Sequence, residues 1–291
     1  MPKSKTQGSY LDKLRQHWQR ADLLRIICSR RMLVAFIMGF AAGLPLLLTI
    51  GVLQAWMKDA GVDLTVIGLM NLVQIPYTWK FIWAPLLDRY TLPLLGRRKG
   101  WLLIAQLALI AAIAGLGLTD PHRSFSLMAL AACLVAFFSA TQDIVIDAYR
   151  IESADEDLQA MLSATYIAGY RIGMLVAGAG SLALAAHLGT SMETYSYSAW
   201  RITYFGVGFC MIVGLVTALV IPEPDLGDRV KPRDYTNLDY GRFFVLFLCA
   251  VSVFVLIFFY VGMIADSIKS GLNNSLGQLG SIGGFLVEAL R

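Results

Sequence analysis

The chain has 291 residues, of which 57% are hydrophobic and 15% charged, a net charge of +4 and a mean hydropathy of +0.63. A soluble globular chain carries about 25% charged residues, so a soluble fold is excluded. The small positive charge follows from the topology described below and gives no reason to expect nucleic acid as a partner.

Residues 1–31 are polar and basic, with no short apolar core followed by a cleavage site, so no secretory signal is expected in them. Leu11, Leu14, Trp18 and Ala21 share one helical face, which fits a helix lying on a membrane surface as well as a solvated basic tail. Seven spans then follow: Met32–Trp56, Leu64–Leu87, Trp101–Leu118, Ser126–Tyr149, Ala160–Ala186, Ala199–Ile221 and Phe243–Ala265. Each approaches or exceeds the roughly 20 residues a helix needs to cross a hydrocarbon core. The run "LLIAQLALIAAIAGLGL" does not alternate as a barrel strand would, so the expected fold class is an all-α polytopic membrane protein. Gly283–Leu290 reads as the start of a further helix. The expected organisation is a segment 1–31, a six-helix bundle 32–221, a linker 222–242, and an additional transmembrane region 243–291.

Charge sets the orientation. If the N-terminus is inside, the inner segments hold the basic N-terminal tail, Arg89, Arg97, Arg98, Lys99, Arg150, Arg229, Lys231, Arg233 and Arg242, against only Lys58, Arg123, Arg201 and Lys269 outside. This bias predicts a cytoplasmic N-terminus. Cys28, Cys133, Cys210 and Cys249 are scattered, with no CxxC pair and no nearby histidine. They read as packing residues, and neither a metal nor a cofactor is expected.

The loop between the second and third spans, "APLLDRYTLPLLGRRKGW", places Asp88 and Arg89 before a turn, then Gly96, Arg97, Arg98 and Lys99. Cations at an inner loop are by default a topology signal. The preceding acid adds a second reading, since a carboxylate favours a helix N-terminus and arginines fork onto carboxylates at other helix ends. Asp147 and Glu152 are placed to receive them. The expected latch comprises Asp88, Arg89, Gly96, Arg97, Arg98 and Asp147.

"PLLDRYTLPLLGRRKGW" resembles the loop between the second and third helices of the major facilitator superfamily, with Ala84 where its first glycine stands and extra residues before Gly96. With "GFAAGLPLLLTIGVLQAWM", "SATQDIVIDAYR" and "GYRIGMLVAG" in the same order, the chain resembles the AmpG-type muropeptide permeases of that superfamily over roughly residues 32–225. Acetyl-CoA transporters are more distant relatives. The resemblance implies a proton-driven importer in the bacterial inner membrane that carries anhydro-muropeptides from periplasm to cytoplasm for cell-wall recycling. It also implies two six-helix bundles around a central cavity. The chain is then expected to be the first bundle plus about one inserted helix, with the C-terminal half as a missing partner. Protons, an anionic sugar–peptide and the lipid bilayer are the other expected partners. An importer of another anionic solute and a non-transporting membrane scaffold remain alternatives. A seven-helix receptor would put its N-terminus outside, and an intramembrane aspartyl protease would place its two acids on different helices.

Ionisable groups inside spans are costly and point to function. Asp143 lies roughly 10 Å from the inner end of the fourth span and shares a helical face with Asp147. Lys80, in the second span at similar depth, either snorkels to the surface or pairs with Asp143 and couples a proton to movement. Arg171, near the middle of the fifth span, is always charged. It reads either as a structural ion-pair member or as the anchor for substrate carboxylates, with Gln74 and Gln142 as further substrate-facing groups. Gly39 and Gly43, and Gly169 and Gly173, have the GxxxG spacing of closely packed helices.

Overall fold

The computed structural model describes residues 29–90, 96–153, 156–191 and 193–224, with residues 241, 242, 245 and 249 besides. The chain divides into two compact units, Met1–Gly227 and Asp228–Arg291, and the first carries everything below. Residues 1–28, the greater part of the expected linker, almost all of Phe243–Ala265, and Gly283–Leu290 lie outside the described residues.

Among the described residues, five helices are long and apolar enough to cross a membrane: Arg30–Asp59, Arg97–Gly117, Phe125–Glu152, Asp157–His187 and Tyr197–Val220. They match the expected first, third, fourth, fifth and sixth spans to within a few residues. The first consists of α1 (Arg30–Leu47), a π-helical turn at Leu48–Val52 and α2 (Leu53–Asp59). Ser29 caps it by accepting the Met32 N–H. Pro45 lies inside α1, and one turn later the Thr49 hydroxyl donates to the carbonyls of Pro45 and Leu46, each at 3.1 Å. The π-turn carbonyl of Leu48 accepts the buried Tyr204 hydroxyl at 3.1 Å. A widened turn is thereby held by a side chain from the sixth span.

The second span is a chain of short pieces: α3 (Leu64–Leu69), a 3-10 turn at Met70–Gln74, α4 (Ile75–Trp79), another at Lys80–Ile82, and α5 (Ala84–Arg89). Pro76 and Pro85 stand at the first turns of α4 and α5. A proline lacks the N–H that would continue the preceding helix but suits a new start, so two prolines in one span break it twice. The third span is α6 (Arg97–Gly117), and the fourth is α7 (Phe125–Glu152). The fifth is α8 (Glu156–Leu175), a second π-helical turn at Val176–Gly180, and α9 (Ser181–His187). The sixth is α10 (Tyr197–Cys210) and α11 (Ile212–Val220).

The first and fifth spans form the tightest pairing. A β-carbon on Gly39 would sit 2.1 Å from the Tyr166 carbonyl oxygen, and one on Gly43 2.1 Å from that of Tyr170. In return, β-carbons on Gly169 and Gly173 would sit 2.0 and 2.2 Å from the carbonyl oxygens of Phe36 and Phe40. The seam is reciprocal, backbone on backbone, as the glycine spacing leads one to expect. At one end of the bundle Trp56 stacks on Trp200 with ring centroids 5.9 Å apart and donates to the Tyr195 hydroxyl at 3.2 Å. The starts of the first and third spans and the ends of the second, fourth and sixth gather at the opposite, basic end, so the spans alternate in direction.

Candidate functional site

At the basic end the loop arginines are held by acids from three different spans. Arg98 is only 5% exposed, although it begins a transmembrane helix. Its guanidinium forks onto Glu152, with Nη2 2.7 Å from Oε1, and also bridges to Asp88. Arg97 meets the same Glu152 carboxylate at 2.6 Å. Glu223, just past the sixth span, accepts the backbone N–H groups of Arg98 at 2.6 Å and Lys99 at 3.0 Å. It caps the N-terminus of α6, where the helix dipole favours negative charge. Gly96 has φ +85°, and a β-carbon there would sit 2.7 Å from the Glu223 carboxylate. Both the backbone conformation and the close approach demand glycine. Lys99 and Arg30 donate to the carbonyls of Leu219 and Val220 at 2.7 and 3.1 Å, covering the C-terminus of α11.

Of the residues expected to form a latch, the structure gathers Asp88, Gly96, Arg97 and Arg98 at one place, and Asp147 lies outside that cluster. Asp147 does not receive the loop arginines; it pairs with Arg150 on its own helix at 3.2 Å. Asp147 and Glu152 are five residues apart, about 140° around a helix, so only one of them can face the loop. Arg89 places its guanidinium 5.7 Å over the Tyr90 ring. Glu223 carries no local signal in the sequence, because its partners lie more than a hundred residues away.

Deeper in the bundle, Asp143 lies within electrostatic reach of Lys80 and Asp147. Tyr77, Tyr166 and Tyr170 lie within electrostatic range of the same carboxylate. Its Oδ1 is buried and has no hydrogen-bond partner among the described residues, and Lys80 makes no direct ion pair with it. Of the two readings of Lys80, a surface cation or a partner of Asp143, the structure shows electrostatic proximity to Asp143 without a closed salt bridge. Gln142 is 0% exposed, with neither amide atom partnered among the described residues. It sits within the bundle, with Thr141, Val145 and Ile146 buried beside it. Gln106 of α6 is buried and unpartnered in the same way; a lone glutamine in an apolar run was its only sequence signal. Gln74 is half-buried and donates to the Thr49 hydroxyl at 3.0 Å.

Arg171 lies on the exposed side of α8, two residues, or about 200°, from the seam glycine Gly169. Among the described residues it makes no ion pair. Lys80 and Asp143 thus lie within electrostatic range of one another, and Arg171, on the exposed side of α8, lies within range of Tyr170, as Asp143 does.

Residues 29–290 match the model of the Major Facilitator Superfamily. The chain is similar to the anhydromuropeptide permease of Escherichia coli, 41% identical over 204 residues, which is 70% of this chain and 40% of the relative. It is also 38% identical over 209 residues to an uncharacterized protein of Haemophilus influenzae, covering 71% of this chain and 47% of that one. To the putative transporter AmpG 4 of Rickettsia conorii it is 31% identical over 207 residues, 70% of this chain and 48% of the relative. The chain spans less than half the length of these three curated relatives.

Proposed function

The chain belongs to the major facilitator superfamily, a family of membrane transporters rather than enzymes, and from that premise we propose that it is one bundle of a proton-coupled importer of anhydromuropeptides. In this reading the basic end faces the cytoplasm of a bacterium, the bundle sits in the inner membrane, and a second bundle completes the cavity. The observation that carries it is Asp143, a membrane-embedded carboxylate with one oxygen buried and unpartnered among the described residues, within electrostatic range of Lys80. An ionisable group at such depth is retained for use. Protonation of Asp143 from one side and release to the other, with Lys80 adjusting to the change in charge, couples the proton to rocking of the bundle. Arg171 sits on a face that lipid would penalise by at least ~2.5 kcal/mol. Here that face lines the cavity shared with the second bundle, and the guanidinium receives the carboxylates of the peptide stem. The substrate class is that of the Escherichia coli relative.

The test is uptake of labelled anhydromuropeptide into vesicles under an imposed proton gradient. It uses the chain expressed alone and the chain joined to the remaining half of the Escherichia coli relative. Uptake by the joined protein that collapses with the gradient supports the reading. Asp143→Asn is expected to abolish gradient-driven uptake while equilibrium binding persists, and Arg171→Ala to weaken binding with the protein still inserted. Full gradient-driven uptake by Asp143→Asn would remove that carboxylate from the coupling.

A further inference from the structure

A cavity of about 490 Å³ opens at the basic end between the first, fourth, fifth and sixth spans. Its mouth carries Arg30 and Arg31 from the first turn of α1, and Arg150 from the end of α7. Its wall then becomes apolar along α1, through Val34 and Ala35 to Met38, with Ile146 and Leu162 opposite. Arg30 or Arg31, Val34 or Ala35, and Met38 are successive turns of one helical face. The lining therefore passes from cationic to apolar along the direction in which a bilayer passes from headgroups to hydrocarbon.

Two acids also border the cavity, Glu152 and Glu223, but both are committed elsewhere. Glu152 is held by Arg97 and Arg98, and Glu223 by the N–H groups of Arg98 and Lys99. The arginines are less fully used. Arg31 is exposed and Arg30 spends one nitrogen on Val220. Arg150 is paired with Asp147 and lies 4.8 Å over the Tyr166 ring, while its Nε is buried with no partner among the described residues. Guanidinium forks match phosphate oxygens, and basic pockets between helices at a membrane surface take anionic headgroups.

We propose that this cavity binds an anionic phospholipid, its phosphate diester held by Arg30, Arg31 and Arg150 and the start of an acyl chain lying along Val34, Met38 and Leu162. A soluble anion would leave the apolar wall exposed to water, and an uncharged lipid would leave the arginines unmatched. The volume is within the range of small-molecule sites and accommodates a headgroup with the first part of a chain. The lining contains none of Asp143, Lys80 and Arg171, although Tyr166, within electrostatic range of Asp143, forms part of its wall.

Native mass spectrometry of the full chain, released from detergent after titration with phosphatidylglycerol, phosphatidylcholine or inorganic phosphate, tests the proposal. One phosphatidylglycerol is expected to be retained in preference to phosphatidylcholine. Each of Arg30→Gln and Arg31→Gln should weaken its binding about fivefold, while Arg31→Lys largely preserves it. Val34→Trp, which fills the wall and leaves the arginines in place, should also weaken binding. Helicity and thermal unfolding in detergent identify variants that fail to fold, and Arg31→Gln, altering an exposed side chain, decides if the others do. Equal retention of the two lipids, unchanged binding in Arg31→Gln or Val34→Trp, or displacement of the lipid by inorganic phosphate would each overturn the proposal, the last by making it a soluble-anion site.

Discussion

Glu152 and Asp147 are both carboxylates near the same helix end, yet their surroundings set very different consequences for removing them. Glu152 holds two guanidiniums, one of them on a side chain only 6% exposed, whereas Asp147 is 44% exposed and meets Arg150 three residues along its own helix. Breaking a buried pair strands a charge and costs about 3–5 kcal/mol, whereas an exposed helical pair contributes about 0–1 kcal/mol. Glu152→Gln should accordingly lower the thermal midpoint in detergent far more than Asp147→Asn. Similar shifts in the two would mean that the loop arginines do not depend on Glu152. Gly96 offers a second residue-scale test. Gly96→Ala faces a left-handed backbone, a strain of about 1–3 kcal/mol, together with the collision with Glu223. In a Glu223→Ala background only the strain remains, so a double-mutant cycle should show coupling between the two sites. Asp63 caps α3 by accepting the Thr65 N–H at 2.7 Å, and these hydrogen bonds hold its carboxyl below the usual carboxylate range. Because its folded value is depressed, the cap's contribution is complete above the unfolded value near 3.9 and is lost as pH falls through the lower folded one. Hydrogen exchange at Thr65 should quicken in that acidic window, and Asp63→Ala should remove the pH dependence.

At the scale of elements, hydropathy located the spans because a bilayer imposes a length that composition alone can meet. The same signal does not reveal the two breaks in the second span, since every piece of it is still apolar; Pro76 and Pro85 stand at the starts of its last two α-helical pieces. Neither π-turn was visible, because a widened turn depends on partners such as Tyr204 that are distant in sequence. The choice between Glu152 and Asp147 was open to a helical wheel, but the cap from Glu223 needed the folded arrangement of the third and sixth spans. The glycine seam was readable from spacing, and it gives a controlled prediction. Gly39→Ala or Gly169→Ala must push two backbones apart and should cost at least the ~1–3 kcal/mol of an overpacked core. Gly115, whose β-carbon would meet nothing within 4 Å, should tolerate alanine with a gain of up to about 1 kcal/mol. Thermal unfolding of the three variants in detergent compares them directly, and equal effects would show that the seam is not a contact.

For the whole molecule, the function of Arg171 turns on what covers the side of α8 that bears it. The proposed second bundle makes that side aqueous. In a background with Cys28, Cys133, Cys210 and Cys249 replaced by serine, Arg171→Cys should react with a membrane-impermeant maleimide when the joined protein is reconstituted. Failure to react from either side of the membrane would place the residue against lipid or in a closed interface. The sequence supplied the identity and depth of this cation, whereas the side it faces emerged only from the register of α8 against α1.

That register also limits how the protein can move. Between α1 and α8 no side chains intervene at the four glycines, so there are no rotamers to exchange as the bundle changes shape. A slip of one residue, about 1.5 Å, would drive Met38 or Phe40 into the space now left open by Gly39. The two helices therefore have a single mechanical setting: in the proposed transport cycle they travel together as one lever, and the slack that cycle needs falls to the twice-broken second span that carries Lys80.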